Sequence, residues 1–342
     1  MNILFIVGAP RSGTTLTRFL LANHREVHGL PETPWLCGGY KSVSYRHLHE
    51  HLLSDEKGPV QNLSVSEDFI HQTITDSVHA MFEEITRELP CRWLIIKTPD
   101  DASFVDFLKR IYPTAKFLHV QRDGRDVAIS TLRAFAGGIT PNHFQQGFGP
   151  VTLWNTLIRW RSFDQAITQS LASLPQARRF LLKYEDLVSH SETTLRSVFK
   201  WLDLEWDPDV LDYKKGTEKS ALPDHEKGSV DVKTKSRIET SSVERWTQLI
   251  DESCFESLDT EFGEDLVHCG YLRCAAFLGR EKDRTHILFR ESPDSLHEAH
   301  IYARQIPYAQ TLRGRIKESI TDCYSIFKNR MTRPHYQEVE RD

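Results

Sequence analysis

The stretch that most limits how this chain can fold is "NILFIVGAPRSGTTLTRFLLANH", residues 2–24. Its apolar start ends in glycine, which suits a strand buried on both faces. Leu16, Phe19 and Leu20 then follow at helical spacing behind a threonine start. A glycine-bearing loop therefore lies between strand and helix. Such a loop points successive backbone N–H groups at one spot, where the helix dipole adds partial positive charge and an anion binds. Gly8 and Gly13 keep the spacing of the G-x-x-x-x-G-K-[ST] phosphate loop, but Thr14 stands where its lysine would be. A basic residue is displaced to Arg11, within reach of a bridging or transferring oxygen, and Thr14 and Thr15 add hydroxyl donors. The absent lysine is the one that reaches β and γ phosphates. No apolar run ends in aspartate either, so ATP hydrolysis is disfavoured. The cradle of Pro10, Arg11, Ser12, Gly13, Thr14 and Thr15 suits one 5′-phosphate with something attached.

Further along, "RWLIIK" (92–97), "AKFLHVQR" (115–122) and "RRFLLKY" (178–184) read as more central strands. Helical patterns fall at 67–89, 100–111, 123–136, 150–172 and 191–202. Strand–helix alternation of this kind predicts an α/β protein, a central parallel sheet flanked by helices. Residues 214–240 are polar and rich in Gly, Lys and Ser, and read as a loop or lid. A helix around Trp246 and an apolar "LVHCGYL" follow. Beyond 275 the pattern weakens; "HILFR" suits a strand and 311–330 an amphipathic helix.

A second motif bears on the ligand. In "FLHVQRDGRDVAISTL" (117–132), Arg122 stands at a strand end and Ser130 two helical turns later. A strand-end arginine presents a fork of donors to a phosphate, and the serine closes on the same group. The loop "GAPRSGTT" resembles the 5′-phosphosulfate loop of sulfotransferases that use 3′-phosphoadenosine 5′-phosphosulfate (PAPS). The Arg122/Ser130 segment resembles that family's 3′-phosphate element. "FLLKYEDLV" (180–188), "VFKWLDLEWDPDVL" and "VERWTQL" (243–249) resemble its later segments, so the likeness spans about residues 3 to 272 in order. It implies the P-loop NTPase-like sulfotransferase fold over 1–275; residues 276–342 have no counterpart in it and read as an extension, with covering the cleft and a homodimer contact as its two open roles.

The resemblance also implies roles. Sulfuryl transfer to a hydroxyl needs an in-line acceptor, a base, and positive charge on the leaving phosphate. Arg11 and Lys97, the latter in Lys97-Thr98-Pro99 like the K-x-P of the tyrosylprotein and carbohydrate branches, supply the charge. Glu32, followed by Thr33, matches the tyrosylprotein branch's base. His119, the alternative, sits inside a strand. Tyr184, Lys235 and Arg237 are further candidates for contact with the nucleotide. A metal is not demanded, because a sulfuryl group carries less charge than a phosphoryl group; PAPS is donor and PAP the product. In "RHLHEHL" (46–52), His47 and His51 share a helix face, which suits a solvated or acceptor-lining cluster better than a metal site.

Charge and composition bound the partners. The net charge of −5 gives no overall basic field toward nucleic acid or anionic membrane. No run of 18 apolar residues spans a bilayer. The start "MNILFIVG" lacks a signal peptide's basic region. The six cysteines fit no metal spacing and read as reduced thiols, so a soluble, bacterial-type cytoplasmic enzyme is expected. Its acceptor is a hydroxyl of a carbohydrate, lipid, small molecule or tyrosine. An unusual P-loop kinase and a non-catalytic nucleotide-binding protein are the competing readings.

Overall fold

The computed structural model describes residues 1–38, 44–54, 60, 63–89, 91–98, 104–136, 152–212 and 238–279. Its centre is a five-stranded sheet of β1 (Asn2–Val7), β2 (Val27–Gly29), β3 (Trp93–Ile96), β4 (Lys116–Gln121) and β5 (Arg179–Lys183). The strands run in the order β2-β3-β1-β4-β5 and every pairing is parallel. The expected parallel sheet is therefore present, with a short strand, β2, that the sequence reading passed over.

The apolar runs are continuous because both faces are covered. Ile3, Phe5 and Val7 face one layer with Leu94, Ile96 and Phe117. Leu4 and Ile6 face the other with Ile95, Leu118, Val120 and Leu182. On the second face lie α1 (Thr14–Ala22), α8 (Tyr184–Ser189) and α9 (Ser191–Trp201), through residues such as Phe19, Leu187 and Phe199. The first face is covered by α4 (Glu67–Thr86), α5 (Val105–Ile111), α6 (Gly124–Ala136), α7 (Leu153–Ala172) and α11 (Phe255–His268). Three shorter α-helices are α2 (Pro34–Cys37), α3 (Tyr45–Leu52) and α10 (Trp246–Leu249).

Caps set several helix starts. Ser66, Thr152 and Ser44 accept from the N–H groups of Phe69, Asn155 and His47. The predicted start at 150 thus moves to Leu153, behind the Thr152 cap. The first residues of the apolar "LVHCGYL" close α11, whose Cys269 N donates to the Asp265 carbonyl at 3.0 Å. The lid reading at 214–240 and the strand and helix readings beyond 280 fall mostly or wholly outside the described residues. Among the described residues, no helix is long and apolar enough to cross a membrane.

The order of strands matters for function. The chain steps from β1 outward through β2 on one side and later through β4 on the other. Such a reversal opens a crevice at the carboxyl ends of the strands, where α/β sheets bind ligands. Gly8, Leu30, Lys97, Arg122 and Tyr184 each stand at or just beyond such an end.

Phe117 lies fully buried, stacked on Phe5 with ring centroids 5.3 Å apart. Phe117→Ala is expected to cost about 3–5 kcal/mol in urea unfolding, by cavity formation. Phe69→Ala, on the exposed face of α4, is expected to stay within about 0.5 kcal/mol.

Candidate active site at the strand ends

The loop after β1 depends on two close approaches. A Cβ on Gly8 would lie 2.5 Å from the Val120 carbonyl oxygen, so the chain passes there only because glycine has no side chain. Gly13 has φ 98°, and a Cβ on it would lie 2.4 Å from the Tyr184 ring. Between them Ser12 folds back, its N–H at 3.0 Å and its hydroxyl at 2.6 Å from the Ala9 carbonyl. Gly13 opens α1 without any side-chain cap, leaving the first turn of N–H groups facing the loop's interior. Arg11 itself adopts a left-handed backbone, φ 72°. That conformation costs an L-residue about 1–2 kcal/mol, so neighbouring groups must hold it.

Arg122 supplies that restraint. One terminal nitrogen donates to the Arg11 carbonyl at 3.0 Å and the other to the Ser242 carbonyl at 2.8 Å. The guanidinium carbon lies 4.2 Å from the centre of the Tyr184 ring. In return Arg11 Nε donates to Ser130 Oγ at 3.3 Å. The loop after β1 and the Arg122/Ser130 segment, with Arg11 and Arg122 lying 111 residues apart, thus meet and grip each other. Tyr184, the first residue of α8 rather than the last of a strand, is wedged between Gly13 and Arg122. Arg122 Nε is buried with no partner among the described residues.

The turn carrying Arg122 is itself anchored. Trp160 Nε1 donates to the Arg122 carbonyl at 3.1 Å, and Asp123 N donates to Glu185 at 3.0 Å. Arg125 forks onto both Asp123 oxygens at 3.0 and 2.7 Å and stacks on Trp246, 3.8 Å from its ring centre. Asp126 Oδ1 accepts from Trp246 N at 2.9 Å. Burial, then the nearby Asp123 charge, pushes the Asp126 carboxyl up to about 7, against the pull of Arg122 and the Trp246 N–H. Burial likewise raises Glu185, whose second oxygen accepts from Tyr271 at 3.1 Å.

One strand over, Lys97 Nζ donates to Glu32 Oε1 at 2.5 Å. The lysine is 1% exposed and the carboxylate 22%, so the pair reaches the crevice from its acidic end. The residues behind them also touch: Thr33 N donates to Thr98 Oγ1 at 2.8 Å.

Other sequence candidates lie apart from this cluster. His119 is buried within β4 and its Nε2 lies 3.3 Å from Asp164 of α7, in a network with Gln121 and Cys269. Burial alone would raise the Asp164 carboxyl, but His119, Gln121 and Cys269 hold it below its usual range. His47 is buried against Ser44 and Arg46, whereas His51 is exposed; His49 instead meets His71 of α4 at 2.5 Å. Among the described residues no group of three or more His, Cys, Asp or Glu is arranged to hold a metal. Cys269 and Cys274 are free thiols engaged separately, with Asp164 and Arg125. Lys235 and Arg237 lie outside the described residues. Asp126, Glu185 and Thr98 were missed as supports; "RDGRD" and "YEDL" carried a signal only as charged residues flanking a site motif.

The model of the sulfotransferase family matches residues 4–208. Over 219 residues the chain is 29% identical to the protein-tyrosine sulfotransferase of Drosophila melanogaster, covering 63% of this chain and 40% of that protein. It is 27% identical over 263 residues to protein-tyrosine sulfotransferase A of Caenorhabditis elegans, covering 75% and 64%. The chain thus spans about half the length of the curated relatives it matches. The sulfotransferase domain from the curacin biosynthetic pathway superposes with a TM-score of 0.56 at 20% identity, covering 79% of this chain and 98% of that one. That of the Synechococcus PCC 7002 olefin synthase gives 0.51 at 19%, covering 78% and 94%. These two likenesses establish the shared fold.

The Asp126 carboxyl makes stability depend on pH. Its folded value, about 7, exceeds the unfolded 3.8, so its contribution is full below the unfolded value and lost as pH rises through about 7. Asp126→Asn keeps the acceptor for Trp246 N and removes the titration. Relative to wild type, its melting temperature is expected to gain about 3 °C more at pH 8 than at pH 5, read by calorimetry at both.

Proposed function

This chain belongs to the sulfotransferase family, and from that premise we propose that it transfers a sulfuryl group from PAPS to a hydroxyl acceptor. The observation that carries the reading is the reciprocal contact of the two anion motifs, Arg122 on the Arg11 carbonyl and Arg11 on Ser130. A donor with a phosphate at each end of one nucleoside requires two such sites at a fixed separation. The buried Arg122 Nε, without a partner among the described residues, and the start of α1, which has no side-chain cap, are donors suited to anions.

In this reading Pro10 to Thr15 cradle the 5′-phosphosulfate, and Arg122 with Ser130 takes the 3′-phosphate. Tyr184 lies against both sites. Lys235 and Arg237 stay as candidate contacts from the lid. Glu32 accepts the acceptor hydroxyl's proton as its oxygen bonds sulfur and the bond from sulfur to the 5′-phosphate oxygen breaks. Lys97 and Arg11 offset the charge that develops on the departing phosphate, as preorganised donors. The transfer as read here needs no metal. The relatives named protein-tyrosine sulfotransferases support a tyrosyl hydroxyl as the first acceptor to test. We keep sugar, lipid and small phenol as alternatives, a homodimer as an open role for 276–342, and the cytoplasm as the expected compartment.

Two measurements test this. PAP should raise the melting temperature well above ADP; a hundredfold excess over Kd contributes about 2.7 kcal/mol. Arg122→Lys should abolish the difference, because a point charge does not replace the fork. Equal shifts for the two nucleotides in the wild type would contradict the donor assignment. Incubation with PAPS carrying labelled sulfate, across tyrosyl peptide, oligosaccharide, sterol and phenol acceptors, should label one class. Glu32→Gln should then lower kcat by about 10²–10⁴-fold while PAP still binds; unchanged kcat would remove Glu32 as base.

A further inference from the structure

β2 and β3 stay in register to their ends, and Leu30 N still donates to the Ile95 carbonyl at 3.0 Å. Pro31 then carries no N–H to continue the ladder. Two residues later Thr33 N is received by a side chain, the Thr98 hydroxyl, at 2.8 Å. The two threonine hydroxyls also meet at 3.2 Å. Both residues are buried, at 5% and 4% exposure.

The Thr33 side chain has given up another bond to make this one. Thr33 is the N-cap of α2, where a threonine ordinarily accepts from an N–H of the first turn. Here it makes no capping bond and faces Thr98. Consecutive residues therefore form consecutive cross-links: Glu32 to Lys97, then Thr33 to Thr98. The second link pins the backbone immediately behind the carboxylate. With that backbone fixed, only the Glu32 side-chain torsions decide where its oxygens stand.

We propose that Thr98 is a positioning residue for sulfuryl transfer: its hydroxyl fixes the turn that presents Glu32 to the acceptor. The proposal rests on the reading of Glu32 as base. Replacing the hydroxyl by a methyl of the same shape leaves Thr33 N buried without an acceptor, and a small displacement of a reacting group costs rate out of proportion to its size.

Thr98→Val and Thr98→Ser are compared with the wild type and with Glu32→Gln. Amide exchange across 31–36, PAP affinity, and transfer of labelled sulfate from PAPS to N-acetyltyrosinamide are measured for each. Thr98→Val should speed exchange in that segment and lower kcat by about tenfold, since the Thr33 N–H loses its acceptor and the turn behind Glu32 loosens. Its PAP affinity should stay at the wild-type value, and Thr98→Ser should restore both exchange and rate. Wild-type exchange and rate in Thr98→Val, with Glu32→Gln inactive, would overturn the proposal alone. Full transfer by Glu32→Gln would instead overturn the base, and with it the reason for positioning it. A loss of PAP affinity in Thr98→Val equal to its loss of rate would assign Thr98 to general structure and also overturn the proposal.

Discussion

The rest of the site depends on one guanidinium. Arg122 holds the carbonyl of a residue whose backbone is left-handed, stacks on the ring that fills the space beside Gly13, and reaches the Ser242 carbonyl. No single one of these contacts is strong in water. Gathered at the buried Arg122 they fix the separation between two motifs that lie far apart in sequence. In the proposed reading, that separation serves to recognise a bisphosphorylated nucleoside as much as either motif does.

Beneath this crevice the sheet carries polar groups where an all-apolar layer would pack more simply. Lys183 donates to Gln121 and to the Cys269 carbonyl, and its ammonium lies 4.5 Å from the Tyr271 ring centre. Tyr271 in turn donates to Glu185, which receives the Asp123 N–H. A path of satisfied bonds thus runs from the end of α11 to the turn that presents Arg122. Buried networks of this kind are costly when any member loses its partner, so they hold one arrangement against alternatives. Asp126 shows the cost in the other direction: its carboxyl fixes α10 while being pushed toward the neutral form.

Local patterns in the chain were enough for much of this. The apolar runs at 2–7, 92–97 and 115–122 read as strands because a sheet covered on both faces leaves no polar alternation. The loop declared itself through two glycines whose backbone geometry and close contacts exclude side chains. β2 was not legible: it spans three residues, Val27–Gly29, too few to establish a period. α11 was not legible as a helix either, since its exposed face interrupts the apolar spacing and only its last residues, "LVH", form a run. The histidine pattern misled for a related reason. Spacing along a helix puts His47 and His51 on one face, but burial separates them and pairs His49 with a residue of another helix.

What the sequence determined by itself is therefore local: a strand, a glycine-bearing turn and a helix in succession, a second strand ending in arginine, and a parallel α/β order. These follow from hydrophobic period, glycine stereochemistry and charge, each readable within some ten residues. Only the tertiary structure decided that Arg11 would face Ser130, that Glu32 would meet Lys97, and that a threonine hydroxyl would stand in for a missing ladder bond. Those pairs come from different strand ends, and a parallel sheet brings strand ends together across connections of 65 residues or more. Nothing in the spacing along the chain encodes that distance in space.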